Sequence, residues 1–220
     1  KAWEMKLSGI LDSMHFESSF TDKEKKRIHY LVYAYLPNYP SYQKYQLQKQ
    51  GYEASGEFYF LLSRLIPEEE GLMDMPEYQT ALLNLVRAFG LRGLQEQDEW
   101  KYLKKQMEYI DGQVRSQMIK DFLMDKITTR YVEKKGTDHL EEIVRFYHDN
   151  VKAPEKKQKF DDLCRKWVKL VKGQPSPVFT CRDIGGKEVC LTDLAGRFVY
   201  IDIWATWCRP CRAEQPCLEQ

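Results

Sequence analysis

The apolar pattern of this chain changes at Gly173, and this change constrains the fold more than any other feature. Before Gly173, apolar residues recur every three or four positions, which is typical of amphipathic helices. After it, the apolar runs are short and are separated by turns rich in Gly and Pro, which is typical of strands. The sequence therefore predicts a mainly α protein, with an all-helical domain over 1–172 and a smaller α/β unit over 173–220.

The predicted helices of the first domain have recognisable ends. Thr21 and Glu24 form a capping-box pattern that would begin a helix. Pro76 and Pro154 suit the first position of a helix, and the long pattern over 98–134 is interrupted near Asp111-Gly112. We expect roughly seven to nine helices. The residues expected to line their buried faces include Trp3, Leu7, Ile10, Leu11, Met14, Ile28, Leu31, Val32, Tyr35, Tyr78, Leu82, Leu85, Val86, Phe89, Phe160, Leu163, Trp167, Leu170 and Val171.

Short strands and one helix are predicted after Gly173. Residues 178–180 and 188–191 flank a hairpin-turn signal at 183–186. The near-continuous apolar run 198–204 has the pattern of a central strand that is buried on both faces. A helix should follow from about Cys208.

Composition excludes several classes of function. The net charge is +1, so no overall field attracts nucleic acid or an anionic membrane. No apolar run approaches the length of about 18 residues that a membrane span needs. The chain starts at Lys1 with no signal-type segment, so we expect a processed N-terminus from which any export signal or tether has been lost.

The cysteines are concentrated near the end of the chain. Five of the six lie in the last forty residues, and Cys208 and Cys211 have the spacing C-x-x-C. Because Cys208 would lie where a strand passes into a helix, the unpaired N–H groups of the helix N-terminus should favour its thiolate. Arg209 adds a cation beside it, and Pro210 fits the first helical turn because it has no N–H to lose. This crowding indicates redox or metal chemistry rather than a disulfide scaffold.

The last 48 residues resemble the thioredoxin superfamily. They are most similar to periplasmic or membrane-anchored thiol–disulfide oxidoreductases of the TlpA and ResA type, which implies an incomplete thioredoxin-like α/β unit here. The helical region before them is similar to that of Bacteroidetes-type periplasmic members. The matching segments are 173–180, 186–189, 191–196 and 204–214, which include Trp204-Ala205-Thr206-Trp207-Cys208-Arg209-Pro210-Cys211.

The resemblance implies a role for each residue of the site. Cys208 would be the nucleophile that attacks a protein disulfide, and Cys211 the thiol that resolves the mixed disulfide. Asp202, six residues before Cys208, would be a buried acid that takes the proton from Cys211. The residues expected to contact substrate are Trp207, Arg209 and Pro210.

The resemblance also implies the setting of the reaction. The expected substrates are extracytoplasmic protein disulfides, and a partner dithiol protein would supply the electrons, so no bound cofactor is needed. We expect a periplasmic or extracytoplasmic, membrane-associated protein with no nucleic-acid partner. The chain reaches Gln220 inside the first main helix of such a domain, so its strand edges would be unpaired and would permit oligomers by strand exchange.

Several alternatives remain open. The C-x-x-C pair could be half of a zinc site completed by Cys217, Cys190 or Cys181, or an inert structural disulfide. Cys181 and Cys190 could pair across the hairpin turn or be small strand hydrophobes. The four histidines have no metal-ligand spacing, and we predict no metal.

A different class of function is a helical protein-binding module with a redox-inert tail. The tyrosine-rich stretch 30–59 would then form a peptide groove, although helix packing explains the same residues.

We expect Arg209 to make the cysteine pair more oxidising, because a cation beside a thiolate stabilises the reduced form. The Arg209→Gly variant should therefore have a more negative reduction potential than the natural pair. A redox titration of the two proteins checks this, and equal potentials would contradict it.

Overall fold

The computed structural model describes residues 2–49, 51–94, 98–171 and 173–218. The chain divides into two compact units, Lys1–Lys172 and Gly173–Gln220. We call them the helical unit and the C-terminal unit and describe each by itself. The division coincides with the change of apolar pattern at Gly173.

The helical unit confirms the mainly α fold class. Two 3₁₀ turns, Leu36–Asn38 and Glu70–Leu72, connect its helices. The α-helices are α1 (Ala2–Ser13), α2 (Ser18–Tyr33), α3 (Tyr39–Ser41, continued by a π-helical turn Tyr42–Gln46), α4 (Gly56–Leu65), α5 (Pro76–Leu91), α6 (Glu99–Gln113), α7 (Gln117–Lys135), α8 (Leu140–Asn150) and α9 (Pro154–Val168).

Local sequence explains where most of these helices begin. Ser55, Asp98 and Ser116 each accept the N–H of the third residue of the following helix, at 3.3, 3.0 and 3.2 Å. Pro76 and Pro154 lie at the first position of α5 and α9, as predicted. The interruption predicted near Asp111-Gly112 occurs slightly later, at 114–116 between α6 and α7, and Asp111 and Gly112 are still helical.

The predicted start of α2 at Thr21 is wrong. The helix begins at Ser18, and the N–H of Thr21 already bonds to the carbonyl of Glu17 at 2.9 Å. Thr21 therefore lies within the first turn, where its hydroxyl cannot serve as the cap.

The core lies mainly between α5, α6 and α7, with α2, α8 and α9 packed around it. The prediction of a buried stripe on α5 and of a buried Phe160 is confirmed. The predicted face of α2 is correct in part: Ile28 and Val32 are half-buried, but Leu31 is exposed and the fully buried residue of the helix is Tyr30. Just beyond the helix, Ala34 is buried and Tyr35 is exposed. On α1, Leu11 is half-buried and the rest of the predicted stripe is exposed; Leu170 and Val171 are exposed as well. The buried residues of α5 include Tyr78, Leu82, Leu85 and Val86.

A buried carboxylate fixes the turn between α8 and α9. Asp121 of α7 accepts the N–H of Lys152 at 2.9 Å and that of Ala153 at 2.8 Å. The amide of Gln117 also donates to it, at 2.6 Å. The carboxylate thus satisfies backbone donors at the start of α9 that the helix itself cannot pair.

The C-terminal unit contains the predicted hairpin. Strands β1 (Thr180–Arg182) and β2 (Glu188–Cys190) pair antiparallel, with Cys181 opposite Val189. The turn between them is closed by the N–H of Gly186, which donates to the carbonyl of Asp183 at 2.9 Å. Gly186 has φ +84°, a conformation that glycine adopts without strain. A 3₁₀ turn, Leu191–Leu194, and the helix α10 (Arg209–Leu218) follow.

The predicted buried strand over 198–204 is wrong for this structure. These residues have no regular secondary structure, and Ile203 keeps 90% of its surface exposed. Within the described residues β1 and β2 pair only with each other, so the run lacks a neighbouring strand for its backbone groups.

The turn at Asp121 gives a test of the fold. Asp121→Ala should reduce the free energy of unfolding by about 2 kcal/mol, because it leaves two partly buried N–H groups without their acceptor. Urea denaturation of the full chain measures this. The exposed Asp149→Ala on α8 is the control and should change stability by less than about 0.5 kcal/mol. Equal effects of the two variants would contradict the role of Asp121.

Candidate functional site

Cys208 lies at the N-cap of α10. Its carbonyl accepts the N–H of Arg212 at 3.1 Å, which is the first hydrogen bond of the helix. Its own N–H donates to the carbonyl of Ala205 at 2.9 Å. Its sulfur accepts the backbone N–H of Cys211 at 3.3 Å. A sulfur in this position lies at the positive end of the helix dipole and accepts a hydrogen bond from a backbone N–H. Both interactions favour a thiolate.

Cys208 and Cys211 form a disulfide. Their Cα atoms are 5.3 Å apart, which is within the usual range for bridged cysteines. One helical turn therefore brings the two sulfurs into bonding distance without moving the backbone. The structure describes the oxidised form of the pair.

The residues around the pair are exposed. Trp207 keeps 86% of its surface accessible, and Arg209 and Pro210 are exposed as well. Pro210 is the second residue of α10, where the missing N–H costs no hydrogen bond. An exposed indole, a cation and a proline ring thus border the cysteine pair, and their contact with substrate stays a prediction.

Asp202 is exposed in the structure. The resemblance implies a buried Asp202, and this expectation is wrong for the structure described. Among the described residues, no layer of secondary structure packs on the run 198–204. An exposed carboxylate does not test the role of proton acceptor, and this role stays a prediction.

The hairpin register separates Cys181 from Cys190. Cys181 is opposite Val189, and Cys190 is opposite Thr180. Since alternate residues of a strand point to opposite faces, the two thiols lie on different faces of the hairpin. Both are free, so the alternative of a disulfide across the turn is excluded here.

The structure shows a feature that was not predicted from the sequence: a second cysteine, Cys190, caps the 3₁₀ turn Leu191–Leu194 with its sulfur. The Cys190 sulfur accepts the Asp193 N–H, and Asp193 accepts the Cys190 N–H at 2.9 Å. The hydroxyl of Thr192 also donates to this sulfur, at 3.0 Å. Hydrogen bonds from the side chain and then the backbone of Thr192 lower the pKa of Cys190, and they outweigh the nearby Asp193 carboxylate, which raises it. The signal was the spacing of a capping box, with cysteine in place of serine.

Cys164 has the opposite environment. It is buried in the helical unit, and burial raises the pKa of its thiol to about 11. The side chain of Cys217 lies outside the described residues, so the zinc alternative that uses it is not addressed.

The described residues hold no group of three His, Cys, Asp or Glu side chains that converges on one point. None of the helices described is long and apolar enough to cross a membrane.

The helical unit contains an open cleft of about 690 Å³. Aromatic rings line it, among them Phe89 and Tyr109, which stack with their centroids 4.3 Å apart. The guanidinium of Arg92 lies 4.7 Å from the ring centre of Tyr59 at the same cleft. Gly56 and Tyr59 of the tyrosine-rich stretch 30–59 line this cleft, and so does the adjacent Phe60.

The curated proteins to which this chain is similar are named as thioredoxin-like proteins and thiol–disulfide oxidoreductases. The chain is 39% identical over 61 residues to Thioredoxin-like protein YneN of Bacillus subtilis (strain 168), which covers 28% of this chain and 36% of the relative. It is 42% identical over 47 residues to Thiol-disulfide oxidoreductase ResA of the same strain, covering 21% and 26%. With ResA of Bacillus anthracis it shares 38% over 52 residues, covering 24% and 30%.

The chain thus spans about a third or less of the length of these relatives. No family model matches it. No solved structure matches it either.

The free thiols give a test of the local electrostatics. Iodoacetamide without reductant should alkylate Cys190 at least about tenfold faster than Cys164, because only thiolates react and burial suppresses the thiolate of Cys164. Mass spectrometry of the alkylated peptides measures both rates.

Thr192→Val removes one hydrogen-bond donor to the Cys190 sulfur and should slow the alkylation of Cys190 alone. Cys181, on the same hairpin, is the internal reference. An unchanged ratio of the Cys190 and Cys181 rates in the variant would contradict the hydrogen-bond explanation.

Proposed function

We propose that this protein catalyses thiol–disulfide exchange with protein disulfides through Cys208 and Cys211. The observation that supports this proposal is the position of the Cys208 sulfur at the N-cap of α10, bonded to the sulfur one turn further along. The similarity to thiol–disulfide oxidoreductases supports the same chemistry.

In the proposed reaction, one disulfide breaks, another forms, and two electrons pass from the cysteine pair to the substrate. In the reduced form, the Cys208 thiolate attacks one sulfur of a substrate disulfide, and the other substrate sulfur leaves as a thiolate that takes up a proton. The Cys211 thiol loses its proton and attacks Cys208, which breaks the mixed disulfide and releases the second substrate thiol. The substrate gains two electrons, and the Cys208–Cys211 disulfide is formed.

Each residue of the site receives a proposed role in this scheme. Cys208 is the nucleophile, Cys211 resolves the intermediate, and Asp202 accepts the proton from Cys211. The exposed indole of Trp207 contacts the substrate polypeptide, and Arg209 stabilises the Cys208 thiolate while Pro210 shapes the turn beside it.

The proposed setting follows from the same chemistry. A partner dithiol protein reduces the Cys208–Cys211 disulfide after each turnover, so the reaction needs no cofactor. We place the protein outside the cytoplasm and associated with a membrane, where protein disulfides persist. The exposed run 198–204 is a candidate for pairing with a strand of another copy.

The full chain tests this proposal with insulin as the disulfide substrate. Cys208→Ser should abolish dithiothreitol-driven insulin reduction above the uncatalysed rate. Cys211→Ser should instead accumulate a mixed disulfide with insulin, because Cys208 still attacks but nothing resolves the intermediate. Non-reducing electrophoresis and mass spectrometry detect this adduct.

Cys181→Ser is the matched control, since it removes an exposed thiol of the same unit and should change neither result. If wild type and Cys208→Ser reduce insulin equally, the exchange proposal fails, and the helical protein-binding module becomes the better account.

A further inference from the structure

The open cleft of the helical unit combines an aromatic floor with a positively charged end. Residues of α4, of the end of α5 and of α6 line it. Its volume of about 690 Å³ lies within the range of roughly 300 to 1,000 Å³ that is usual for ligand sites. The exchange reaction proposed for Cys208 and Cys211 makes no use of this cleft.

The floor of the cleft is a row of packed aromatic rings. The ring centroids of Tyr59 and Phe89 are 5.2 Å apart, and those of Phe89 and Tyr109 are 4.3 Å apart. Tyr59 is buried, whereas Phe60 at the rim keeps 65% of its surface exposed. An apolar side chain that entered the cleft would remove both the exposed ring and its own surface from water, which favours binding.

Two cations lie at one end of this floor. Arg92, just after α5, places its guanidinium 4.7 Å from the ring centre of Tyr59. One of its terminal nitrogens is 3.9 Å from the position that a Cβ on Gly56 would take. The ammonium of Lys105 donates to the backbone carbonyl of Arg92 at 2.8 Å. The contact with Tyr59 holds the guanidinium at the cleft before a ligand arrives, which reduces the entropy cost of binding.

The negative charge near the cleft does not match these two cations. Among the described residues that line it, Glu108 is the carboxylate, and it forms no ion pair with Arg92 or Lys105. Burial raises the pKa of Tyr59, Arg92 opposes this effect, and Glu53 adds to it, so Glu53 also acts on this region. Glu53 is exposed and does not line the cleft. The charged end is therefore able to accept a further negative group.

These features together select the chemistry of the ligand. A guanidinium binds a carboxylate through two parallel N–H bonds, and the aromatic floor suits an aromatic side chain. A polypeptide carries both groups on neighbouring residues. A nucleic-acid strand is held through several phosphate contacts, and two cations beside the Glu108 carboxylate match it poorly.

We propose that this cleft binds a polypeptide segment in which an acidic side chain lies next to an aromatic one. The carboxylate of the segment pairs with Arg92 and Lys105, and its aromatic ring packs against Phe60 and Phe89. This binding needs no cysteine of the protein and so goes beyond the exchange function. It gives the helical unit a task of its own, the selection of acidic and aromatic segments of partner proteins.

Isothermal titration calorimetry of the full chain tests the proposal with the synthetic peptide Gly-Asp-Phe-Asp-Phe-Gly. Wild type should bind it saturably with a Kd below about 1 mM. The peptide in which Asn replaces both Asp residues should bind at least about tenfold more weakly, because charged hydrogen bonds to the carboxylate are lost. Neither peptide contains cysteine, so this proposal and the exchange proposal fail independently.

Variants of the protein locate the site. Arg92→Gln should weaken binding of the acidic peptide at least about tenfold and reduce its preference over the Asn peptide. Phe60→Ala should weaken both peptides by a similar factor, since it removes apolar contact and leaves the charges in place. Arg130→Gln changes an exposed arginine of α7 that does not line the cleft, and should match wild type. Circular dichroism of each variant checks that the helices remain folded.

Equal affinity of wild type and Arg92→Gln for the acidic peptide would overturn the proposal. So would the lack of saturable binding by wild type up to about 1 mM peptide. Phenylacetate that bound as tightly as the peptide would replace the polypeptide by a small aromatic acid. An oligothymidylate that bound more tightly than the peptide would replace it by a nucleic acid.

Discussion

The unpaired N–H groups at helix N-termini are the constraint on which most of this structure depends. Each helix leaves its first backbone donors without an internal partner. In the helical unit, oxygen atoms satisfy them: Ser55 and Asp98 cap their own helices, and Asp121 reaches from α7 to the start of α9. Glu68 does the same for the backbone N–H of Ser116, the cap of α7, at 2.7 Å. These contacts set where helices begin and how successive helices are connected.

In the C-terminal unit, sulfur takes the place of oxygen. Cys190 caps a 3₁₀ turn and Cys208 caps α10, and each sulfur accepts an N–H from the turn that follows. The physical need is the same as in the helical unit, but the acceptor is now an ionisable and redox-active atom. The hydrogen bonds that satisfy the N–H groups at the start of a helix therefore also stabilise a thiolate when the capping atom is sulfur. Cys164 shows the contrast, because a buried sulfur without such a cap is held in its neutral form.

Charge performs a different task at the beginning of the chain. The helices α5, α6 and α7 are held by a shared apolar core, whereas α1 is attached through polar groups and leaves its apolar stripe outside. The helical unit therefore combines helices that share an apolar core with one helix that has no buried residue.

The sequence by itself determined the features that involve neighbouring residues. The change of pattern at Gly173, the proline-initiated helices α5 and α9, and the C-x-x-C pair at a helix start all depend on residues within one or two turns of each other. Only the tertiary structure decided which face of α2 is buried, why Asp121 is buried, and that His29 lies between Glu4 and Leu65. These contacts join residues 25 to 36 positions apart, and no local periodicity encodes which distant acceptor a side chain will meet. The run 198–204 shows the same limit, because an apolar pattern specifies a strand only when a neighbouring strand pairs with its backbone.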